Sequence, residues 1–315
     1  MRSLGNDVAA AVVTARQITR PSADRQRGGS REPGGGRSVV QTVPVTEPKT
    51  LRVATLNIWN RFGPWDERLA AIRAGVRALS PDLLGLQEVV RLAPGDGDGL
   101  DQTSAIGDGF GYHAAYSRAH DEKWFGNALL SRWPITDTRI FALPRGGTEE
   151  RRTLLFAAVD SPFGAIPVFV THLNWKFDEG HVRQTQLREI VAHVQALHLP
   201  GGFPAILVGD MNAEPDSDEM RFLRGLTTLG GSRSVYFQDA FALAGDGSPG
   251  VTYSRRNPFA EHLREPDRRI DYVLVHGRDE RHRGEPLEAR VCFDAPVDGT
   301  FPSDHFGVVA TLRGV

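Results

Sequence analysis

The chain has 315 residues, of which 40% are hydrophobic and 24% are charged, and its formal net charge is −2. These values are ordinary for a globular protein, and they argue against a domain whose whole surface binds polyanions. No apolar run approaches the ~20 residues of a membrane-spanning helix. The single cysteine, Cys292, cannot form an internal disulfide. We expect a monomer without an integral membrane segment, cytoplasmic in location, with secretion left open.

Residues 1–48 differ from the rest of the chain in composition. They hold few large apolar side chains, a Gly/Arg/Pro-rich centre at 27–37, and seven Arg against four acids. Such a composition cannot bury enough apolar surface to offset the entropy lost on ordering. A short apolar stretch at 8–13 resembles the core of a signal peptide but lacks a convincing cleavage site. We interpret 1–48 as a disordered tail, or as the product of a start codon assigned too far upstream, and 49–315 as one folded domain.

The hydrophobic pattern predicts a strand at 51–57, a helix at 65–80 and a buried strand at 82–89. Downstream it predicts strands at 127–131, 154–159, 166–172, 205–208, 269–276, 288–293 and 307–312, and helices at 179–198 and 217–226. Strands outnumber helices, and some connections are too short for a crossover helix. The pattern therefore favours an α/β fold of two mixed sheets packed face to face, with helices outside.

The stretch at 205–215 combines an apolar run with Asp210 and Asn212, two residues apart. Residues at this spacing project to the same side of an extended chain. A carboxylate beside an amide can ligate Mg²⁺, or hold a phosphate and its attacking water. Taken alone, the pair is explained more simply as a strand that runs into an Asp/Asn turn.

Similar polar residues recur at the ends of other predicted strands. They are Asn57, Glu88, His172 with Asn174, Asp271, and Asp304 with His305. Each has an ordinary structural explanation, such as a helix cap or a hydrogen-bonded core histidine. Together they supply carboxylates for a divalent metal, amides for phosphate and water, and an imidazole for proton transfer.

Seven short motifs follow one another along the chain. They are Leu56-Asn57-Ile-Trp, Leu86-Gln-Glu88-Val, Leu129-Leu-Ser-Arg-Trp-Pro-Ile, Thr171-His172-Leu, Gly209-Asp210-Met-Asn212, Arg269-Ile-Asp271-Tyr-Val and Ser303-Asp304-His305. In this order they resemble the endonuclease/exonuclease/phosphatase superfamily over about residues 51–313. That superfamily includes pancreatic deoxyribonuclease, abasic-site endonucleases, neutral sphingomyelinases and inositol-polyphosphate 5-phosphatases. The resemblance implies a four-layer α/β sandwich and makes 49–315 a catalytic domain.

The resemblance also implies a role for each matched residue. Glu88 is expected to be the principal Mg²⁺ ligand, with Asn57 beside it, and Mn²⁺ can substitute for Mg²⁺. Asp304 is expected to join the metal or to orient its water. Asp210 aligns or deprotonates the attacking water, and Asn212 holds the phosphate or the transition state.

Further positions belong to the implied phosphate site. His305 is expected to contact the phosphate, polarised by Asp271, although some proposals for the superfamily make His305 the base. His172 matches a position where members place His or Tyr against the phosphate. Arg152 is expected to clamp the substrate phosphate, although its neighbour Arg151 suits that role equally well.

Asn174 is also expected to contact the substrate phosphate. Substrate choice should depend on the loops around the site, which carry aromatic residues beside arginines. Such residues suit stacking on bases, and lipid or sugar contacts equally. These loops lie at 60–67, 118–125, 175–181 and 255–267.

The resulting expectation is a Mg²⁺-dependent phosphodiesterase, in first place an endonuclease, that uses a metal-assisted water for in-line attack. Its substrate is a phosphodiester, with nucleic acid among the candidates, because the motifs indicate the chemistry and not the substrate. A sphingomyelinase-like lipid phosphodiesterase and an inositol-type phosphatase are alternatives within the superfamily. A non-catalytic binding protein on the same fold is the alternative from another class. Trp59 stands where abasic-site endonucleases have an Asp, which weakens that subfamily assignment.

Overall fold

The computed structural model describes residues 50–92, 95, 97–119, 125–199, 201–277 and 279–315. The tail predicted at 1–48 lies outside the described residues, as does most of the loop predicted at 118–125. Within the described ranges, no helix is both long enough and apolar enough to cross a lipid bilayer.

Twelve strands are present in the described part of the chain. They are β1 (Thr50–Asn57), β2 (Leu83–Val90), β3 (His113–Arg118), β4 (Phe125–Ser131), β5 (Ile135–Ala142), β6 (Thr153–Ser161), β7 (Gly164–His172), β8 (Ile206–Asp210), β9 (Phe237–Asp239), β10 (Asp271–His276), β11 (Pro286–Cys292) and β12 (Gly307–Arg313). The helices are α1 (Trp65–Leu79), α2 (Gln102–Gly107), α3 (Gly180–Ala196), α4 (Asp218–Leu223), α5 (Ala240–Ala244) and α6 (Pro258–Glu261), with a 3₁₀ turn at Phe177–Glu179.

The strands form two mixed sheets, as the sequence predicts, and each sheet has six strands. The first sheet has the order β11-β12-β1-β2-β4-β3, and the second has the order β5-β6-β7-β8-β10-β9. One pair in each sheet is parallel, β1 with β2 and β7 with β8, and the other neighbours are antiparallel. The carboxyl ends of the two parallel pairs carry four of the residues predicted to form the site, Asn57, Glu88, His172 and Asp210.

Alternating side chains build the four layers of the sandwich. In β1, Val53 belongs to the core between the sheets, where it joins Val170 and Val208 of the second sheet. Its neighbour Ala54 points the other way and packs in one cluster with Ile72 of α1. On the far side of the second sheet, buried residues of β7 and β8 pack against α3 in the same manner. The predicted four-layer α/β sandwich, with helices mostly outside the sheets, is confirmed.

The sequence pattern missed three strands, β3, β5 and β9, and each of them lies at the edge of a sheet. Edge strands have neighbours on one side only, and most of β5 is exposed or half-buried, so a continuous apolar run is absent. The helix predicted at 217–226 is shorter. Ser217 caps α4 by accepting a hydrogen bond from the Met220 amide, so the helix begins at the next residue. The chain leaves the helix at Gly225, whose φ of 74° is left-handed.

Candidate active site

Strand register places three of the predicted residues side by side in the second sheet. His172, the last residue of β7, lies opposite Asp210, the last residue of the parallel strand β8. Asp271 lies opposite Asp210 on the other side. Asp271 is the first residue of β10 and not the last, but β10 runs antiparallel to β8, so its start meets the end of β8. The three side chains therefore share one end of the sheet.

Asn57 joins this group to the first sheet. Its side-chain amide donates a hydrogen bond of 3.1 Å to Asp210 Oδ2, and the same nitrogen lies 3.2 Å from Glu88 Oε1. The Asn57 backbone carbonyl accepts a hydrogen bond of 2.6 Å from the Ser303 hydroxyl, which also lies 3.2 Å from Asp304 Oδ1. One amide thus connects acids that are far apart in sequence and that belong to different sheets.

A β-bulge turns Glu88 out of the regular strand. The register of β2 against β4 shifts between Leu86 and Val89, and Glu88 has a φ of 59°. A left-handed backbone is unfavourable for a residue with a side chain, and it is tolerated where the surrounding structure imposes it. The bulge lets the half-buried Glu88 side chain line a cavity at the site, although Gln87 beside it is fully buried.

His305 forms a buried pair with Asp271. Its Nδ1 atom lies 3.0 Å from Asp271 Oδ2, and its Nε2 atom lies 3.8 Å from Asp210 Oδ2. The Tyr253 ring packs edge-on at 4.9 Å between centroids. Burial alone lowers the pKa of His305, but Asp271, Asp304 and Asp210 outweigh it, so the pKa lies well above its ordinary value. His305 is therefore an imidazolium at neutral pH.

His172 has the opposite protonation state. Its Nε2 atom lies 3.4 Å from Asp210 Oδ2. Burial holds its pKa well below the ordinary value, and the positive charges of Arg152 and His305 lower it further. The imidazole is therefore neutral at pH 7. Its Nδ1 atom is buried without a hydrogen-bond partner in the described part of the chain.

The acids of the site carry raised pKa values. Burial raises the pKa of Asp210 to about 6, and Asp271 adds to the rise. Burial raises the pKa of Asp304 to about 7 in spite of His305, and the charge of Glu88 contributes. The pKa of Glu88 is raised by burial as well, against the hydrogen bond from Asn57. Carboxylates crowded in this way repel one another, and a bound divalent cation relieves that repulsion through hard oxygen ligands. The residues present therefore fit such an ion.

Two ligand sets are available around this point. Asp210, Asp271 and His305 offer ligand atoms that all lie within 4.8 Å of one another, which makes them a possible metal site. Glu88 and Asp304, with Asn57, form the set that the sequence predicts. Asp304 raises the pKa of His305, and the charge of His305 lowers the pKa of Glu88, so both acids lie within electrostatic reach of the histidine.

The site opens into two adjoining cavities. The first, of about 240 Å³, is lined by polar residues of the site and by a wall of aromatic and aliphatic side chains. Its lining includes Glu88, His172, Asp210, Asn212, Asp304 and His305, with Trp59, Phe62, Trp175, Tyr253 and Leu263. The second, of about 610 Å³, shares Glu88, His172, Phe62 and Trp175 with the first and extends to Arg152.

The structure distinguishes the two candidate arginines. Arg152 is buried, lines the larger cavity, and lies 3.5 Å from Glu150. Its Nε atom has no hydrogen-bond partner among the described residues. Arg151 is exposed and does not line either cavity. Arg152 is thus the arginine that faces the site.

The structure keeps Asn174 apart from this group. The Asn174 side-chain nitrogen donates to Glu179 Oε2 at 2.9 Å and to Thr148 Oγ1 at 3.2 Å. Its oxygen accepts from Gln186 Nε2 at 2.8 Å, and the residue is fully buried. Every polar atom of the side chain has a protein partner and Asn174 lines neither cavity, so the predicted phosphate contact would have to replace one of these hydrogen bonds.

Asn212 does reach the site. Its backbone amide donates a hydrogen bond of 2.9 Å to Asp210 Oδ1, and its side-chain nitrogen donates one of 3.1 Å to the Leu173 carbonyl. A left-handed backbone with φ of 48° turns the chain after β8 and lets the side chain line the smaller cavity.

Arg68 is a residue of the site region that the sequence reasoning missed. It is fully buried, and its guanidinium donates to the backbone carbonyls of Ile58 at 2.7 Å and Pro302 at 3.1 Å. Burial lowers its pKa to about 10, against the charges of Asp304 and Glu88. Arg68 therefore ties the loop after β1 to the loop before β12. The sequence contains a signal for this buried arginine, because Arg68 stands four residues before Ile72 and therefore on the apolar face of α1.

Comparisons with known proteins agree with this fold. The sequence matches the family described as Endonuclease/Exonuclease/phosphatase family over residues 54–305. No curated protein matches the sequence. A solved endonuclease/exonuclease/phosphatase from Beutenbergia cavernae is similar, with 27% identity and a TM-score of 0.63, covering 84% of this chain and 71% of that chain.

Two more distant structures share the fold. Truncated TDP2 of Caenorhabditis elegans is 20% identical with a TM-score of 0.62, over 84% of this chain and 97% of that one. The catalytic domain of human Nocturnin, solved with a bound sulfate anion, is 21% identical with a TM-score of 0.61, over 84% of this chain and 94% of that one. At this level of identity the similarity concerns the fold alone.

Proposed function

Because the chain belongs to the endonuclease/exonuclease/phosphatase family of metal-dependent phosphoester hydrolases, we propose that it is a Mg²⁺-dependent phosphodiesterase, and in first place an endonuclease. The observation that carries this proposal is the arrangement around Asp210 Oδ2. A cationic imidazole, His305, lies at 3.8 Å and a neutral imidazole, His172, lies at 3.4 Å. Such a site offers a proton acceptor and a charged donor within one cavity.

Glu88 and Asp304, with Asn57, are the residues that we assign to the metal. His305 is a weak candidate for a ligand, because it is protonated and its Nδ1 atom is engaged with Asp271. Glu88 lines both cavities and forms no ion pair among the described residues, so its carboxylate suits Mg²⁺ or Mn²⁺. When bound, the ion supplies positive charge for the phosphate oxygens and for the leaving alkoxide.

Asp210 is the residue that we assign to the attacking water. Its carboxylate is oriented by Asn57, Asn212 and His172, so one geometry is fixed before substrate binds. A pKa near 6 keeps it ionised at neutral pH and still basic enough to accept a proton from water. Asp210 thus holds the water in line with the scissile bond and takes up its proton.

His305 and Arg152 are the residues that we assign to the phosphate. His305 carries a positive charge and can direct its Nε2–H at a phosphate oxygen, where negative charge develops during attack. Arg152 lines the adjoining cavity, and its Nε–H has no hydrogen-bond partner among the described residues. The neutral His172 and the Asn212 amide complete the set of hydrogen-bonding groups.

The mouth of the site favours a substrate with a flat or apolar group beside the phosphate. Phe62, Trp175 and Leu263 line the cavities and are 58%, 50% and 51% exposed. Aromatic side chains at such a position can stack on nucleic-acid bases, in keeping with an endonuclease. The same apolar rim makes a lipid phosphodiesterase the second candidate.

Hydrolysis of bis-p-nitrophenyl phosphate, with and without EDTA, tests the proposal. A phosphodiesterase releases nitrophenolate with Mg²⁺ or Mn²⁺ and stops when EDTA is added, whereas a non-catalytic binding protein shows no turnover in either condition. Plasmid DNA, RNA, sphingomyelin and inositol polyphosphates then identify the substrate class. Cleavage of sphingomyelin without cleavage of DNA or RNA would replace the endonuclease by the lipid phosphodiesterase.

A further inference from the structure

A second cleft, of about 510 Å³, lies beside the catalytic cavity. It is lined by Arg255, Arg256 and Arg264, together with Glu261 and Asp267. All five residues are exposed. The arginines exceed the acids, so the cleft carries an excess of positive charge in a chain whose overall charge is negative. None of the residue roles assigned above uses this cleft.

The cleft and the catalytic cavity share a wall. Along the segment 263–268, Leu263, Glu265 and Arg268 line the catalytic cavity, whereas Arg264 and Asp267 line the cleft. Alternate residues of one extended loop thus face the two spaces. A ligand in the cleft is therefore separated from the scissile position by the thickness of a single chain segment.

The arginine cleft, defined as Arg255, Arg256 and Arg264, is fixed to the catalytic residues. The Arg256 guanidinium lies 5.6 Å from the ring of Phe306, the residue that follows His305. Asn257 donates a side-chain hydrogen bond of 2.6 Å to the carbonyl of Ser303, directly before Asp304. The loop that carries the arginines is thereby tied to the segment that carries the site.

The three guanidinium groups are available for a ligand. Among the described residues, none of them makes an ion pair or a side-chain hydrogen bond. Their neighbours in the same loop do: Arg268 pairs with Glu265, and Arg269 lies 2.9 Å from Asp239. Asp267 is engaged in the loop itself, since it accepts 3.0 Å hydrogen bonds from the Ser254 hydroxyl and the Arg255 backbone amide.

We propose that the arginine cleft is a second phosphate-binding site, which holds non-scissile phosphates of a nucleic-acid strand, one at each guanidinium, while the scissile phosphate lies in the catalytic cavity. Guanidinium groups bind phosphate oxygens in bidentate geometry, and several of them in one cleft suit a repeating anion. A nucleic-acid strand carries such phosphates on either side of the cleaved bond, whereas a lipid headgroup with a single phosphate does not. The choice of a nucleic-acid strand rests on the proposed function.

Binding of a short fluorescein-labelled oligothymidylate to the full-length protein tests the site. Fluorescence anisotropy is measured in EDTA, which prevents cleavage, over a series of KCl concentrations. The variant Arg255→Ala/Arg256→Ala/Arg264→Ala should bind about tenfold more weakly, and the slope of log K against log[KCl] should fall by about two units. This decrease in the slope corresponds to the counterions that three phosphate contacts release from the oligonucleotide.

A matched control removes the same charge elsewhere. Arg233, Arg281 and Arg290 are exposed and line neither the cleft nor the catalytic cavities. Arg233→Ala/Arg281→Ala/Arg290→Ala should retain the wild-type affinity and most of the salt slope. An equal loss of affinity in both triple variants would show a general effect of charge and would overturn the proposed phosphate-binding site.

Further outcomes would also overturn the proposal. One is an unchanged salt slope in the cleft variant; another is cleft-dependent binding of anionic phosphatidylserine vesicles with no binding of the oligonucleotide. If the triple variant melts below the wild type, Arg264→Ala alone replaces it, with the slope expected to fall by about 0.7. The test is independent of turnover, so a protein that fails to hydrolyse bis-p-nitrophenyl phosphate contradicts the proposed function without deciding the cleft.

Discussion

The Nδ1 atom of His305 lies 3.0 Å from Oδ2 of Asp271, and both side chains are buried. The pair joins the loop before β12 in the first sheet to the first residue of β10 in the second. The negative charge of Asp271 is the largest of the effects that keep the His305 imidazole protonated against burial. The positive charge at the proposed phosphate site therefore depends on a contact between the two sheets.

Substituting Asp271 by Asn should lower the pKa of His305, because the neutral amide no longer stabilises the imidazolium. Titration of the histidine Cε1–H resonances by NMR, in metal-free protein, measures that pKa directly. We expect kcat to fall by ~10²-fold when the charged donor is lost. An unchanged His305 titration in the variant would contradict the assigned role of Asp271.

Activity should rise with pH through the titration of Asp210. The carboxylate must be ionised to accept a proton, and its pKa is about 6 in the absence of a cation. A bound cation lowers a nearby carboxylate pKa, so the rising limb of kcat/KM should lie at or below about pH 6.

Asp210→Asn should remove this limb and lower kcat by ~10²-fold or more, and His305→Ala should lower kcat similarly. Near-normal turnover in either folded variant, as judged by circular dichroism, would show that the site is misplaced.

Metal binding should depend on Glu88. Glu88→Gln keeps the shape of the side chain but removes a charge from a site for a hard cation, so Mg²⁺ affinity and activity should fall together. Isothermal titration calorimetry measures the affinity, and Asp271→Asn serves as the comparison. If Asp271→Asn abolished Mg²⁺ binding and Glu88→Gln did not, the ion would lie among Asp210, Asp271 and His305.

Asn174→Ala should act on stability and much less on turnover. The substitution leaves Glu179 and Gln186 without their partner in a buried environment. We expect the free energy of unfolding to fall by about 2–4 kcal/mol, as measured by urea denaturation. A stable variant with strongly reduced kcat would instead support the phosphate contact that the sequence suggests.

Residues 1–48 should be dispensable for chemistry, because their composition cannot support a core and the site residues begin at Asn57. A chain that starts near Pro48 should bind Mg²⁺ and hydrolyse a small diester at the full-length rate. The net charge of +3 in 1–48 can strengthen binding to long DNA at low ionic strength, an effect that salt weakens. A markedly lower melting temperature after truncation would place the segment within the fold.

Part of this picture is visible in the sequence. Buried strands need apolar runs, so the polar residues that interrupt them stand out, and Glu88, Asp210 and His305 could be named from the chain alone. The central strands and the helices α1 and α3 follow from the same periodicity. The edge strands β3 and β5 do not, because exposed residues interrupt any apolar run at these edges, and β9 is only three residues long.

Only the tertiary structure decided which polar residues meet and in which charge state. Asp210 and Asp271 are neighbours through strand register, and spacing along the chain does not fix that register. Asn174 carries the same amide group as Asn212, yet it is hydrogen-bonded to Glu179 and Gln186 and lines neither cavity. His172 and His305 are the same residue type, yet the first is neutral and the second is cationic, because a pKa depends on burial and on charges contributed by distant segments. The sequence by itself determined the chemical groups, and the packing of the two sheets determined what each group can do.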